Sequence, residues 1–139
     1  MPRLLELCES GNLADARRLL ACGEDVNNKD YLGTTALMQA VMYNHNSIVK
    51  LLLDQPAVDV NVKDKYGGTA LHRAAWYNNA EGARMLLLHK DINSADVIDE
   101  DGDTALMRAV RFRKEEVLRE LVKHLSVSLD VGRLEGGQR

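Results

Sequence analysis

The sequence predicts an all-α solenoid of stacked helix–turn–helix repeats joined by short hairpin fingers. The motif D-x-x-G-x-T-A-L occurs three times, from Asp30, Asp64 and Asp99, and its glycines Gly33, Gly67 and Gly102 are spaced by 34 and 35 residues. Two apolar stretches of helical length, separated by a turn, follow each copy. Self-similarity at a period of about 20–50 residues marks a stack in which each unit buries its face against its neighbours.

The first thirty residues carry the pattern without the motif. Leu4 to Cys8 reads as a first helix, Gly11-Asn12 as a turn, and Leu13 to Cys22 as a second helix leading into Gly23-Glu24-Asp25-Val26-Asn27. Arg3, Glu6, Glu9, Asp15, Arg17 and Arg18 keep one side wet, as an N-terminal cap requires. Cys8 and Cys22 then lie on antiparallel helices, more than about 10 Å apart at about 1.5 Å per residue. A disulfide needs Cα atoms within about 7 Å. Both read as reduced thiols, in keeping with an intracellular home.

In each motif the glycine suits a tight turn with positive φ, and the aspartate side chain can accept from turn amides. The threonine is a helix N-cap, followed by alanine and by leucine as the first buried residue. First helices are expected at about 35–43, 69–77 and 104–112, each with small residues on one side: Ala40 and Val41, Ala74 and Ala75, Ala109 and Val110. Asn44 and Asn78 follow where a left-handed residue is wanted, and Arg113 holds the same place less comfortably. The second helices bury Ile48, Val49, Leu51, Leu52 and Leu53; then Ala83, Met85, Leu86, Leu87 and Leu88; then Val117, Leu118, Leu121, Val122 and Leu125. Glu115, Glu116, Arg119, Glu120 and Lys123 charge the outer face of the last helix, as in a C-terminal cap. The stretch 126–139 reads as the start of another hairpin that frays, and Gly136-Gly137 as a disordered end or a cut in a longer chain.

These residues resemble the ankyrin repeat, whose period is about 33 with a T-P-L-H-x-A signature. Thr69-Ala70-Leu71-His72-Arg73-Ala74 matches except for alanine in place of proline, and the copies at Thr35 and Thr104 also carry methionine for histidine, as Met38 and Met107. The family's closing G-A-D-V-N is echoed at Gly23 to Asn27 and at Ala57 to Asn61, while the echo across 91–97 is blurred and that loop should be irregular. The resemblance spans about residues 2–131, divided into repeats at about 1–29, 30–63, 64–98 and 99–131, with a tail at 132–139. It implies an L-shaped stack that binds a partner protein on the concave face made by fingers and first helices. It implies no reaction and no cofactor, and a hydrogen bond from His72 between repeats. The family also favours histidine at the position of His45.

The chain has 139 residues, 45% of them apolar, and a net charge of −3, which gives no general attraction to nucleic acid or to an anionic membrane. No stretch reaches the roughly 18 apolar residues needed to span a bilayer. Glu6 and Glu9 interrupt any signal-peptide pattern. The expectation is a monomeric protein of the cytosol or nucleus. His89 and His124 sit near the ends of second helices, where imidazole can meet terminal carbonyls. Neither H-E-x-x-H nor C-x-x-C occurs, so no zinc site is expected. Asp99-Glu100-Asp101-Gly102-Asp103 hints at calcium, but an EF-hand register centred on Gly102 would need acids at Val97 and Arg108. It reads as a solvated finger tip with Asp99 structural, or as a weak calcium or basic-partner site. No nucleophile elbow surrounds any serine, and no catalytic triad is expected.

All six aromatic residues fall outside the motif core positions. Tyr31 and Tyr66 sit at finger tips beside Leu32 and Lys65. Tyr43, Trp76, Tyr77 and Phe112 precede the turn between helices, beside Met42 and Arg111. Aromatics and arginine dominate interface energies, and an exposed line of them marks a docking surface. With Arg73 and Arg108 as polar contacts, this set is the expected partner-binding surface. Gln39 is a further polar contact, and Glu100, Asp101 and Asp103 would steer a basic edge of the partner. The alternative for Trp76 or Phe112 is packing between repeats. Other readings of the chain are a nucleotide or oligonucleotide stacked on the aromatics near Arg108, Arg111, Arg113 and Lys114, or a ligand-sensing, inhibitory or spacer segment of a larger signalling protein. Asn27 and Asn61 end L-x5-D-V-N stretches similar to those met by the asparaginyl hydroxylase of the hypoxia response; otherwise they close the loop with side-chain hydrogen bonds.

Overall fold

The computed structural model describes residues 3–93 and 95–124. Seven helices are α1 (Leu4–Ser10), α2 (Leu13–Ala21), α3 (Ala36–Met42), α4 (Asn46–Leu53), α5 (Ala70–Trp76), α6 (Ala80–Leu88) and α7 (Ala105–Arg111). Residues 115–124 are also helical, and we call them α8. The expectations for Leu125 and for 126–139 lie outside the described residues. Helices α1, α3, α5 and α7 pack side by side in one row, and α2, α4 and α6 in a second.

Local chemistry sets each element. Thr35 and Thr104 cap their helices by accepting from the Met38 and Met107 amides, both at 3.2 Å. At α5 a histidine joins the threonine in the cap, and His72 Nδ1 accepts from the Thr69 amide at 3.2 Å. Nε2 therefore carries the proton and donates to the Asp103 carbonyl at 2.9 Å, which ties the third helix pair to the fourth finger. Three left-handed residues end the first helices, Asn44 (φ 63°), Asn78 (φ 54°) and Arg113 (φ 55°). Arginine takes this conformation despite its Cβ because the turn to α8 demands it.

The fingers are built by the motif aspartates rather than by strands. Oδ1 of Asp30, Asp64 and Asp99 each accepts two amides of its own turn at 2.8–3.0 Å. Lys29 and Thr35 form an isolated antiparallel bridge, and no longer strand occurs among the described residues. Consecutive tips are joined by main-chain bonds, Lys65 N–H to Leu32 O at 2.8 Å and Glu100 N–H to Tyr66 O at 2.9 Å. Gly67 has φ 80°, and a Cβ there would lie 3.3 Å from Asp99 Cα, so both backbone conformation and the next finger require glycine.

The core is aliphatic. Leu4, Leu7, Met38, Ile48, Val49, Leu52, Leu71, Leu86, Val117 and Leu121 are buried, interleaved with alanines that let the rows approach closely. Cys8 is buried and Cys22 exposed, both free. Burial pushes the Cys8 thiol up to about 12.

Three residues expected in the core lie outside it. Leu88 is the last residue of α6, on its outer side, and is 70% exposed. Val110 and Val122 are 58% and 47% exposed, because no further helix pair covers α7 and α8 among the described residues. The same uncovering leaves Met107 exposed where its counterpart His72 is buried. His89 does not meet carbonyls through its ring: its Nδ1 accepts from the Asp91 amide at 3.1 Å.

Candidate functional site

None of the six aromatics enters the core. Tyr31 is 90% exposed, and Tyr43, Tyr66, Trp76, Tyr77 and Phe112 are each 43–48% exposed. Three of them, Tyr66 from a finger and Trp76 and Tyr77 from the end of α5, line one cavity of about 360 Å³ together with Arg73 and Arg108. Phe112 extends this group, its ring centroid 5.7 Å from that of Trp76 across the boundary between helix pairs. Trp76 and Phe112 are therefore both exposed and packed between repeats. Tyr43 lies near both Glu9 and Tyr77, and chiefly the Glu9 carboxylate pushes its phenol above the usual value. Leu32 and Met42 are half-buried, Lys65 and Arg111 exposed. Tyr31 stands apart at the second finger and does not line the cavity.

The arginines differ from expectation. Arg108 is buried, 7% exposed. Its Nε and Nη2 reach Asp99 Oδ2 at 2.9 and 2.7 Å, and Nη2 also meets Asp101 Oδ2 at 2.8 Å. Its guanidinium lies 4.6 Å from the Trp76 ring centroid and 5.8 Å from that of Phe112, within cation–π range of both. Arg108 therefore supports the aromatic surface from beneath instead of offering a free polar contact. Arg73 is likewise tied to its own finger in the preceding repeat, though half-buried: Nη2 donates to Asp64 Oδ2 at 2.9 Å and to Thr34 Oγ1 at 3.3 Å, and Nη1 to Met42 Sδ at 3.4 Å.

The acidic finger is correspondingly less solvated than its composition implies. Asp99 and Asp103 are buried, and Asp103 is met by Arg111 at 3.0 Å. Burial pushes the Asp99 carboxyl up, but the amides of Asp103 and Asp101 and the Arg108 guanidinium outweigh it and hold the group below the ordinary carboxylate range. Of Glu100, Asp101 and Asp103, only Glu100 is without an ion pair among the described residues, so it alone is free to steer a partner. No group of three or more His, Cys, Asp or Glu among the described residues is placed to hold a metal ion, the acidic finger included.

An aspartate–arginine pair nine residues apart thus recurs at Asp64–Arg73 and Asp99–Arg108, joining the finger's turn to its own first helix. Sequence reasoning missed this pair, although the equal spacing was visible. The second finger has Asp30 and, nine residues on, Gln39, whose buried Oε1 has no partner.

The side chains of Asn27 and Asn61 do not close their own loops, which are held by the Asp25 and Asp59 carboxylates accepting the Asn27 and Asn61 amides at 2.9 Å; both reach across to the next repeat. Asn27 Nδ2 donates to Ala57 O at 2.7 Å and its Oδ1 accepts from the Asp59 amide at 2.8 Å. Asn61 repeats this with Asp91 O at 2.8 Å and the Asn93 amide at 3.0 Å. Each asparagine clasps the loop of the next repeat. His45 adds a further link, Nε2 donating to Glu9 O at 3.0 Å.

No described helix is long and apolar enough to cross a membrane. Comparison with known proteins finds a 50-residue stretch 48% identical to part of a human protein described as mitochondrial disaggregase, and 42% identical to its bovine counterpart. The stretch is 36% of this chain and 7% of either relative, so the chain spans only a small part of their length. The family model for ankyrin repeats in three copies matches residues 4–96, and that for a single ankyrin repeat matches 101–132. Ankyrin repeats are generally protein–protein interaction modules and typically non-catalytic. With these two matches covering most of its length, the chain belongs to the ankyrin repeat family.

Proposed function

We propose that the chain is a non-catalytic binding module whose protein partner docks on the face made by the fingers and first helices, the concave side of such stacks. One observation carries the reading. All six aromatic side chains are left exposed, none is used in the core, and Tyr66, Trp76 and Tyr77 surround one cavity. Packing between repeats accounts for the covered side of Trp76 and Phe112, but about half of each of five rings and nearly all of Tyr31 stays in water, whereas at an interface each would bury a large area at small entropic cost. Tyr43, Met42, Phe112 and Arg111 extend the surface along the helices; Tyr31, Leu32 and Lys65 extend it along the fingers. Arg73 and Arg108 hold the surface rigid, which lowers the cost of binding.

The test is capture of partners from a native lysate by the wild-type chain, Tyr66→Ala and Trp76→Ala, with quantitative mass spectrometry. Partners specific to this face should be depleted in both variants, by about tenfold or more for a loss of about 1.4–2 kcal/mol. Tyr66→Ala should keep the wild-type melting temperature. Trp76→Ala should melt somewhat earlier, since it also loses Phe112 and Arg108. Equal capture by wild type and folded variants would move the site elsewhere.

A further inference from the structure

We propose that the cavity walled by Tyr66, Trp76 and Tyr77 takes a cationic side chain, lysine or arginine, of the bound polypeptide, an inference that rests on reading this face as the docking surface. Charge is the first argument. The side chains lining the cavity include four carboxylates, Asp64, Asp99, Glu100 and Asp101, against two guanidiniums, Arg73 and Arg108. Arg73 answers Asp64, but Arg108 is shared between Asp99 and Asp101, and Glu100 has no ion pair among the described residues. The cavity is left with an excess of negative charge in a half-sheltered site, where a cation meets less screening than on open surface.

The walls are the second argument. The ring faces of tyrosine and tryptophan carry negative potential and attract cations within about 6 Å of the centroid. The site already uses this chemistry once, with Arg108 held 4.6 Å from the Trp76 centroid. Tyr66 and Tyr77 line the same space and are each 47% exposed. A volume of about 360 Å³ admits a long basic side chain with its alkyl stem against the rings and its charged end toward Glu100. An anionic group would face the carboxylate excess, and a purely apolar one would leave Glu100 without a partner.

The test uses the full chain as bait for a random peptide display library, with counter-selection against Trp76→Ala. Tyr77→Leu serves as a second counter-selection bait in case Trp76→Ala fails to fold. Trp76 is the chain's single tryptophan, so its fluorescence reports binding of each synthesised survivor directly. The expected survivors share a lysine or arginine at one position. Exchanging that residue for norleucine or citrulline should weaken binding about tenfold, and Glu100→Gln should weaken it about threefold. Survivors with no shared basic residue, or with affinity unchanged by the exchange, would overturn the cation site while leaving the docking face standing. If no peptide distinguishes the wild-type chain from both folded variants, the cation site and the docking face fall together.

Discussion

Gln39→Arg should stabilise the chain by completing in the second finger the pair found in the third and fourth. Asp30 Oδ1 accepts the Leu32 and Thr34 amides at 2.9 and 3.0 Å, the arrangement of Asp64 and Asp99, so the carboxylate is already oriented. Gln39 lines a cavity of about 350 Å³ shared with four carboxylates, Asp30, Glu6, Glu9 and Glu24, and with two cations, Arg3 and Lys29, which leaves an arginine room and a surplus of counter-charge. A hydrogen bond to a charged group contributes about 1.5–3 kcal/mol when well formed. Partial solvent screening reduces this, while the rotamer entropy lost is similar for glutamine and arginine, so it largely cancels. The net gain should be about 0.5–1.5 kcal/mol, with relief of the unpartnered Gln39 Oε1 included. Urea unfolding at neutral pH measures it. Asp30→Asn alone and combined with Gln39→Arg closes a double-mutant cycle that isolates the pair. A coupling energy indistinguishable from zero would refute the reasoning, since the gain would then not come from Asp30.

Arg108→Ala should cost about 3–5 kcal/mol at neutral pH, because it strands the buried Asp99 carboxylate. Asp99 has a depressed folded-state value, so its stabilising contribution is present above its ordinary value of about 3.9 and is lost as pH falls through the folded value. The gap between wild type and Arg108→Ala should therefore narrow as urea melts are repeated below about pH 3.9; a gap that widens there contradicts the assignment. In native protein, a thiol reagent should label Cys22 quickly and Cys8 only on opening of α1, as peptide mapping would read. Equal labelling of both would mean α1 is not packed as described. We also propose Asn27 and Asn61 as hydroxylation sites: incubation with the asparaginyl hydroxylase of the hypoxia response would then add one oxygen at one of them, read by peptide mass, and no added oxygen at either leaves them the clasping role alone.

Features that depend on neighbours in the chain were legible in the sequence. A glycine at positive φ, a threonine before an alanine, and an asparagine ending a helix each answer a demand of the local backbone, and all three recur with the repeat. What escaped depends on closure through space. From the sequence, Arg108 reads as a polar contact of the docking surface. The finger instead folds back and brings Asp99 to it, a contact that helical periodicity does not encode. Asp103 was misread for the same reason. Val110 and Val122 follow the apolar pattern of their repeat, and whether such a residue is covered depends on the next unit and not on the residue itself. The aromatic surface was legible by elimination: each core position of the motif was already filled by an aliphatic residue.

The links between successive repeats differ along the finger. Near its base, Asn27 and Asn61 each hold the following loop by two bonds, whereas at the tips a single main-chain bond joins one finger to the next. Such a row is stiff at the root and compliant at the edge, like the ribs of a fan. Spreading two tips sacrifices one bond of about 1 kcal/mol and leaves the aliphatic core untouched. The pitch between tips can thus adjust to the girth of what enters, and a bulky guest would meet elastic resistance rather than a fixed gauge.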